Sequence, residues 1–167
     1  MKQGTRETGF TLVESMIATV VLAVIVLSVS VAVTSGQRQM YEAMHAQRAI
    51  GLAEELMESI LALPYDDPDG DSSPGPEVDE TSVSDFDNAD DFHGYSEPAG
   101  ELTDTAGLTY PSEYQLFSRE VIAQYDSHVV AGLGAPMPGL TVTVTARDQA
   151  GRTWSLTRFI PEPVGGN

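Results

Sequence analysis

The chain has 167 residues and a formal net charge of −17, with 25 acidic residues against 8 basic residues and no cysteine. This length accommodates one small domain together with a membrane helix. The acidic balance argues against nucleic-acid binding, which needs a basic stripe, and the absence of cysteine excludes a disulfide-stapled domain.

The N-terminal stretch combines a short basic leader with a long apolar run. Lys2 and Arg6 precede the run, and Glu14 is the one charged residue in the segment 10–35. A run of about 26 residues predicts a helix long enough to cross a bilayer. A lone carboxylate in such a run is destabilising unless it finds a partner. Glu14 is therefore a candidate functional residue.

Two ordinary interpretations compete for this stretch. A secretory signal peptide has an apolar core of about 7–15 residues and an A-x-A-like cleavage site, whereas this run is longer and the segment 31–36 is a poor site. A plain single-span membrane anchor, with Glu14 near its cytoplasmic end and reaching toward the lipid headgroups, remains open from the residues alone.

The segment GFTLVE, residues 9–14, resembles the N-terminal signature of type IV prepilins and type II secretion pseudopilins. In that family a membrane-embedded aspartyl peptidase cuts after the Gly and methylates the new N-terminal Phe. The resemblance implies that the leader 1–9 is removed between Gly9 and Phe10, and that Phe10 becomes N-methylated. It also implies that Glu14 pairs with the terminal amine of a neighbouring subunit during filament assembly.

The resemblance extends to partners and location. It implies a structural subunit, a minor pilin or minor pseudopilin, that interacts with other pilin or pseudopilin subunits, with prepilin peptidase and with the inner membrane. The basic residues before the span place the later residues outside the cytoplasm by the positive-inside rule. The expected location is thus the bacterial inner membrane with one span, followed by a filament in the periplasm or at the cell surface.

Residues 10–35 are expected to form the membrane-spanning and filament-core helix, and residues 36–63 its amphipathic continuation. Pro64 ends the predicted helix because it disfavours helical geometry at the preceding residue and cannot donate a hydrogen bond. Apolar residues at steps of three, four and seven predict one buried stripe, formed by Met40, Met44, Ile50, Ala53, Met57, Ile60 and Leu61.

An acidic variable loop is predicted for residues 64–109. No Lys or Arg occurs between Arg48 and Arg119, while residues 64–104 contain 14 acids. Crowded carboxylates repel one another unless a hard cation sits among them, so a calcium site is a candidate here, with possible ligands at Asp85, Asp87, Asp90 and Asp91. A solvated, disordered loop is the alternative. Three aromatic residues are expected to pack the second half of the loop against the domain: Phe86, Phe92 and Tyr95.

An EF-hand is not expected in this loop, although part of its spacing is present. Asp69, Asp71 and Ser73 alternate, and Glu80 follows eleven residues after Asp69. The sixth position of an EF-hand loop requires Gly, and Pro74 stands there instead.

The C-terminal part predicts a small antiparallel sheet over residues 110–162, followed by a tail at 163–167. Strands are expected at 114–125, 139–147 and 153–160, and the strict alternation of apolar residues and Thr in 140–146 is the clearest strand pattern. The segment 148–151 predicts a tight turn. The expected fold class is α+β, with the long N-terminal helix packed on the sheet.

The motifs do not indicate an enzyme. The chain has three histidines without metal-ligand spacing, and it lacks a nucleophile motif and a Gly-rich phosphate loop. The functional interpretations are therefore a filament subunit, a calcium-dependent acidic binding or adhesive module displayed on such a filament, and a plain membrane-anchored extracytoplasmic domain.

Overall fold

The computed structural model describes residues 11–68, 70, 73–104, 106–129, 132 and 134–163. Within these residues the chain forms a long helix, α1 (Leu12–Leu61), and the strands β1 (Ser96–Glu97), β2 (Phe117–Val129), β3 (Pro136–Asp148) and β4 (Thr153–Pro161). The strands form one sheet in the order β1-β2-β3-β4, and each neighbouring pair is antiparallel. The predicted α+β class, a long helix with an antiparallel sheet, is confirmed.

The chain divides into two compact units, residues 1–44 and 45–167, and α1 belongs to both. In the first unit the described side chains are exposed along the whole helix. In the second unit, α1 residues 45–61 cover the sheet. The core of this unit is made from α1, the loop and the sheet, with these buried apolar residues: Ala49, Leu52, Ala53, Leu56, Met57, Ile60, Ala89, Phe92, Leu102, Phe117, Val121, Ala123, Leu140, Val142, Val144 and Ala146.

The buried stripe of α1 differs from the predicted one. Met40, Met44, Ile50 and Leu61 were expected to be buried, but each is exposed. The buried positions are 45, 49, 52, 53, 56, 57 and 60, so the stripe is rotated around the helix toward Ala49, Leu52 and Leu56. The prediction gave priority to large apolar residues, whereas close approach of a helix to a sheet also selects small residues such as alanine at the contact.

The sheet forms where the alternation of residues predicts it. In β3, Leu140, Val142, Val144 and Ala146 are buried. The threonines between them lie on the opposite face, where Thr143 and Thr145 contact hydroxyl groups of β4. The Gly151 N–H donates to the Asp148 carbonyl, which confirms the predicted tight turn between β3 and β4. β3 and β4 extend beyond their expected bounds, whereas β2 is displaced along the chain, since it begins at Phe117 rather than at residue 114 and runs to Val129.

The acidic region contains elements that the prediction of a loop did not include. Strand β1 lies inside it and pairs with β2. The aromatic residues pack as expected, since the rings of Phe86 and Phe92 meet edge to face at 5.0 Å and those of Phe92 and Tyr95 at 5.5 Å. The Gly94 N–H donates to the Val121 carbonyl of β2, and the Val121 N–H donates to the Tyr95 carbonyl. The region is thus attached to the domain by its own core residues and backbone hydrogen bonds.

Candidate functional site

The first part of α1 presents an apolar surface that the first unit does not bury. The large apolar side chains of residues 12–33 are each at least half exposed, including Val20 at 64% and Leu27 at 66%. This helix is long and apolar enough to cross a membrane by length and composition. Exposed apolar surface of this extent requires lipid or other apolar helices around it.

Thr11 and Glu14 form a capping box at the N-terminus of α1. The Glu14 Oε2 accepts hydrogen bonds from the Thr11 N–H at 2.9 Å and from the Thr11 hydroxyl at 3.0 Å. The Thr11 Oγ1 accepts in return from the Glu14 N–H at 3.3 Å. This reciprocal pair satisfies two N–H groups at the helix start. The carboxylate of Glu14 is therefore held at the N-terminal end of the helix, beside Thr11.

The predicted processing residues, Gly9 and Phe10, lie outside the described residues. The first described residue is Thr11, which stands directly after them. The position of Glu14 beside the backbone of Thr11 is the part of the N-terminal site that the structure describes. The predicted assembly role of Glu14 stays a prediction.

The four predicted calcium ligands have different surroundings. Asp85 is exposed, and its Oδ2 accepts from the Ser82 N–H at 3.0 Å and the Ser82 hydroxyl at 2.8 Å. The Asp87 carboxyl group is also exposed. Asp90 and Asp91 are buried, with 2% and 1% exposure. Burial raises the pKa of both buried carboxyl groups, and hydrogen bonds to them act in the opposite direction.

Of these four acids, Asp91 joins a group of converging carboxylates. Glu77, Glu80 and Asp91 each offer one oxygen, and these oxygens lie within 4.8 Å of one another. Among the described residues, Asp85, Asp87 and Asp90 do not join such a group. A hydrogen bond with the carboxyl group of Glu80, together with partial desolvation, raises the pKa of Glu77 to about 7.

Little in the sequence indicated this group of carboxylates. Glu77 is one of the 14 acids in residues 64–104, and Glu80 appeared as the last position of a failed EF-hand pattern. Their approach to Asp91 depends on how the segment 73–80 folds back. A Cβ added to Gly75 would lie 3.8 Å from the His93 carbonyl oxygen, so this segment passes close to the chain that follows Asp91. The positive φ of +119° at Gly75 favours glycine in this turn.

Two buried polar clusters, which sequence reasoning also missed, hold the second unit together. Arg119 and Glu97 form a buried ion pair, with Arg119 Nε donating to Glu97 Oε2 at 2.6 Å. The same guanidinium donates to the carbonyls of Leu52 at 3.2 Å and Thr103 at 2.8 Å. It thereby connects α1, β1, β2 and the loop. These hydrogen bonds and the ion pair offset the cost of burying the Arg119 charge.

The second cluster is centred on Asp148 at the end of β3. Its Oδ2 lies 3.1 Å from His45 Nε2 and accepts from Arg152 Nε at 2.7 Å. Burial disfavours the charged form of Asp148, but the hydrogen bonds from Arg152 and His45 outweigh it and lower its pKa to about 2. The cluster ties α1 to the β3–β4 turn. We assign both clusters a structural role.

Comparison with known proteins identifies the N-terminal segment. Residues 4–30 match the family model described as the prokaryotic N-terminal methylation motif. No curated protein and no solved structure matched the chain. The motif is the signature of type IV pilin-like and pseudopilin-like prepilins, which confirms the resemblance of residues 9–14. These are structural proteins rather than an enzyme family, and a membrane anchor fits the long apolar helix.

Proposed function

We propose that this pilin-like chain is a minor subunit of a type IV pilus or type II secretion filament. In this proposal, prepilin peptidase cuts between Gly9 and Phe10 and methylates Phe10. The subunit then leaves the inner membrane and enters the filament through the first part of α1. The observation that carries the proposal is the methylation motif at residues 4–30, which continues into an exposed apolar helix.

The apolar surface supports assembly through α1. The described side chains of residues 12–33 find no cover within the first unit. In a membrane, lipid covers such a surface; in a filament outside the membrane, only the helices of other subunits can do so. Small residues at positions 18, 23, 28 and 32 would let neighbouring helices approach closely.

Glu14 gives this assembly its specificity through an ion pair between subunits. Cleavage after Gly9 creates a cationic amine on Phe10, four positions before Glu14. In a filament core, the Glu14 carboxylate of one subunit pairs with the Phe10 amine of another. Because breaking a buried ion pair leaves an uncompensated charge, the pair fixes the axial position of the incoming subunit.

Photo-cross-linking tests the assembly surface, and the chain is well suited to it because it has no cysteine. A benzophenone attached to Val20→Cys, in the exposed apolar helix, should capture pilin or pseudopilin subunits, as identified by mass spectrometry. The matched control is Val78→Cys, a fully exposed position in the acidic loop. The Val20 adducts should be lost when filament assembly is blocked, and the identity of the captured subunits distinguishes a pilus from a secretion filament.

A plain membrane anchor makes the opposite prediction for the same experiment. The Val20 probe would then label lipid and unrelated membrane proteins, and its adducts would not change when assembly is blocked. That result would contradict the proposed function.

A further inference from the structure

In the part of the chain that the structure describes, three carboxylates from two separate parts of the acidic loop converge without a basic partner. Glu77 and Glu80 come from one turn and Asp91 from the next, and one oxygen of each lies within 4.8 Å of the others. None of the ion pairs formed by the described residues includes any of the three. Carboxyl groups so close together repel one another when all are ionised, unless a positive charge, either a proton or a metal ion, is shared among them.

Asp91 provides a second, independent observation. Its side chain is buried, with 1% exposure. Its Oδ2 accepts hydrogen bonds from the N–H groups of Asp87 at 3.0 Å and Asn88 at 2.9 Å. Its Oδ1 is also buried, and the described residues supply no hydrogen-bond partner for it. A buried carboxylate oxygen without a hydrogen-bond partner destabilises the fold. Oδ1 is therefore the Asp91 oxygen that is available to a positively charged ligand.

The ligand type and the loop together favour one class of cation. Carboxylate oxygens are ligands of hard cations such as Ca²⁺ and Mg²⁺. Mg²⁺ demands near-ideal octahedral geometry, whereas Ca²⁺ accepts variable geometry and completes its coordination with carbonyl groups and water. The three acids lie on an irregular loop, outside α1 and the strands, so the group suits Ca²⁺ better than Mg²⁺.

We propose that Glu77, Glu80 and Asp91 bind a Ca²⁺ ion that fastens the turn 73–80 to the segment 87–93. The turn already lies near that segment at Gly75, and its backbone is held locally by the Glu77 N–H, which donates to Glu80 Oε2 at 3.1 Å. The cation would neutralise the repulsion and satisfy the buried oxygen of Asp91. This site differs from the one predicted from sequence, with which it shares Asp91 alone.

Calcium titration of the full chain in detergent micelles tests the proposal. Isothermal titration calorimetry with CaCl₂ should show binding at a single site, and millimolar CaCl₂ should raise the melting temperature above that in EGTA, because binding to the folded form alone stabilises it. MgCl₂ should give a smaller rise. Glu77→Gln and Glu80→Gln should each weaken Ca²⁺ binding by about tenfold or more, since ligand charge sets the affinity of such sites.

Asp79→Asn is the matched control, because it removes a charge from the same turn without touching the three ligands. It should retain the calcium-dependent rise in melting temperature. In EGTA, Glu77→Gln should melt no lower than the wild type, since it relieves repulsion, whereas in CaCl₂ it should melt lower than the wild type. No calcium-dependent change in the wild type would overturn the proposal, and so would an equal change in Glu77→Gln and Asp79→Asn. An equal response to Mg²⁺ would overturn the preference for Ca²⁺.

Discussion

Substitution of Glu14 by Gln separates the assembly role of this residue from its role in starting the helix. Gln can also serve in a capping box, so Glu14→Gln keeps an oxygen that accepts from the Thr11 N–H, as Oε2 now does at 2.9 Å. What the substitution removes is the negative charge. If the charge pairs with the Phe10 amine of a neighbouring subunit, filament incorporation should fall while leader cleavage between Gly9 and Phe10 continues.

The expected magnitude distinguishes the two roles. Breaking a buried ion pair costs about 3–5 kcal/mol, which corresponds to a reduction of about 150- to 5,000-fold in the assembly equilibrium. Loss of a helix cap costs typically about 1 kcal/mol, or about fivefold. Thr11→Val removes the capping hydroxyl and keeps the Glu14 charge, so it is the matched control and should assemble far better than Glu14→Gln.

The assay compares the amounts of each variant in sheared filaments, normalised to the amount in the membrane fraction. Equal recovery of Glu14→Gln and wild type would refute the ion-pair argument. Equal losses in Glu14→Gln and Thr11→Val would also refute it, since the effect would then follow the helix cap rather than the charge. A plain anchor predicts no loss, because removal of a charge from the span favours the membrane.

Three further predictions concern the second unit and are measured by unfolding of the full chain in detergent. Arg119→Met should destabilise the unit by about 3–5 kcal/mol because Glu97 stays buried without its partner. The control Arg147→Met loses an exposed contact of 3.9 Å with Glu120 and should cost at most about 1 kcal/mol. Similar losses in the two variants would contradict the prediction. Gly139→Ala should destabilise by at least about 1–3 kcal/mol, since the new Cβ would overlap the backbone of β4, and an unchanged melting temperature would disprove the clash. The pKa of Asp148 is lowered to about 2, so its charge stabilises the fold above about pH 4, and this contribution is lost as the pH falls through 2. The difference in unfolding free energy between wild type and Asp148→Asn should therefore shrink over that pH range. A difference that does not depend on pH would contradict the prediction.

The elements with strong local patterns were predictable from the sequence. The apolar run and Pro64 predict the long helix α1 and the region where it ends, and the alternation in residues 140–146 predicts the buried face of β3. The rotated stripe of α1 was not predictable, because Ala49 is buried by close approach to the sheet rather than by its own hydrophobicity. The two-residue strand β1 was also missed, since pairing with β2 rather than any local pattern defines it.

The candidate sites also differ in whether the sequence made them predictable. Glu14 stands out in the sequence because a charge in an apolar run is conspicuous in one dimension. The group of Glu77, Glu80 and Asp91 does not stand out, because many acids surround it and only the folding of the loop selects these three. Arg119 was likewise hidden, since its partners Glu97 and Leu52 are distant along the chain and meet it only in the folded core.

The mature N-terminus tests the central claim most directly. The full chain should be expressed with and without prepilin peptidase, and its intact mass measured in the membrane fraction. With the peptidase, we expect loss of residues 1–9 and gain of one methyl group on Phe10; without it, the uncut chain. Gly9→Leu should remain uncut in both cases because a side chain obstructs the scissile bond. An uncut wild-type chain in the presence of active peptidase would contradict the assignment of this protein as a filament subunit.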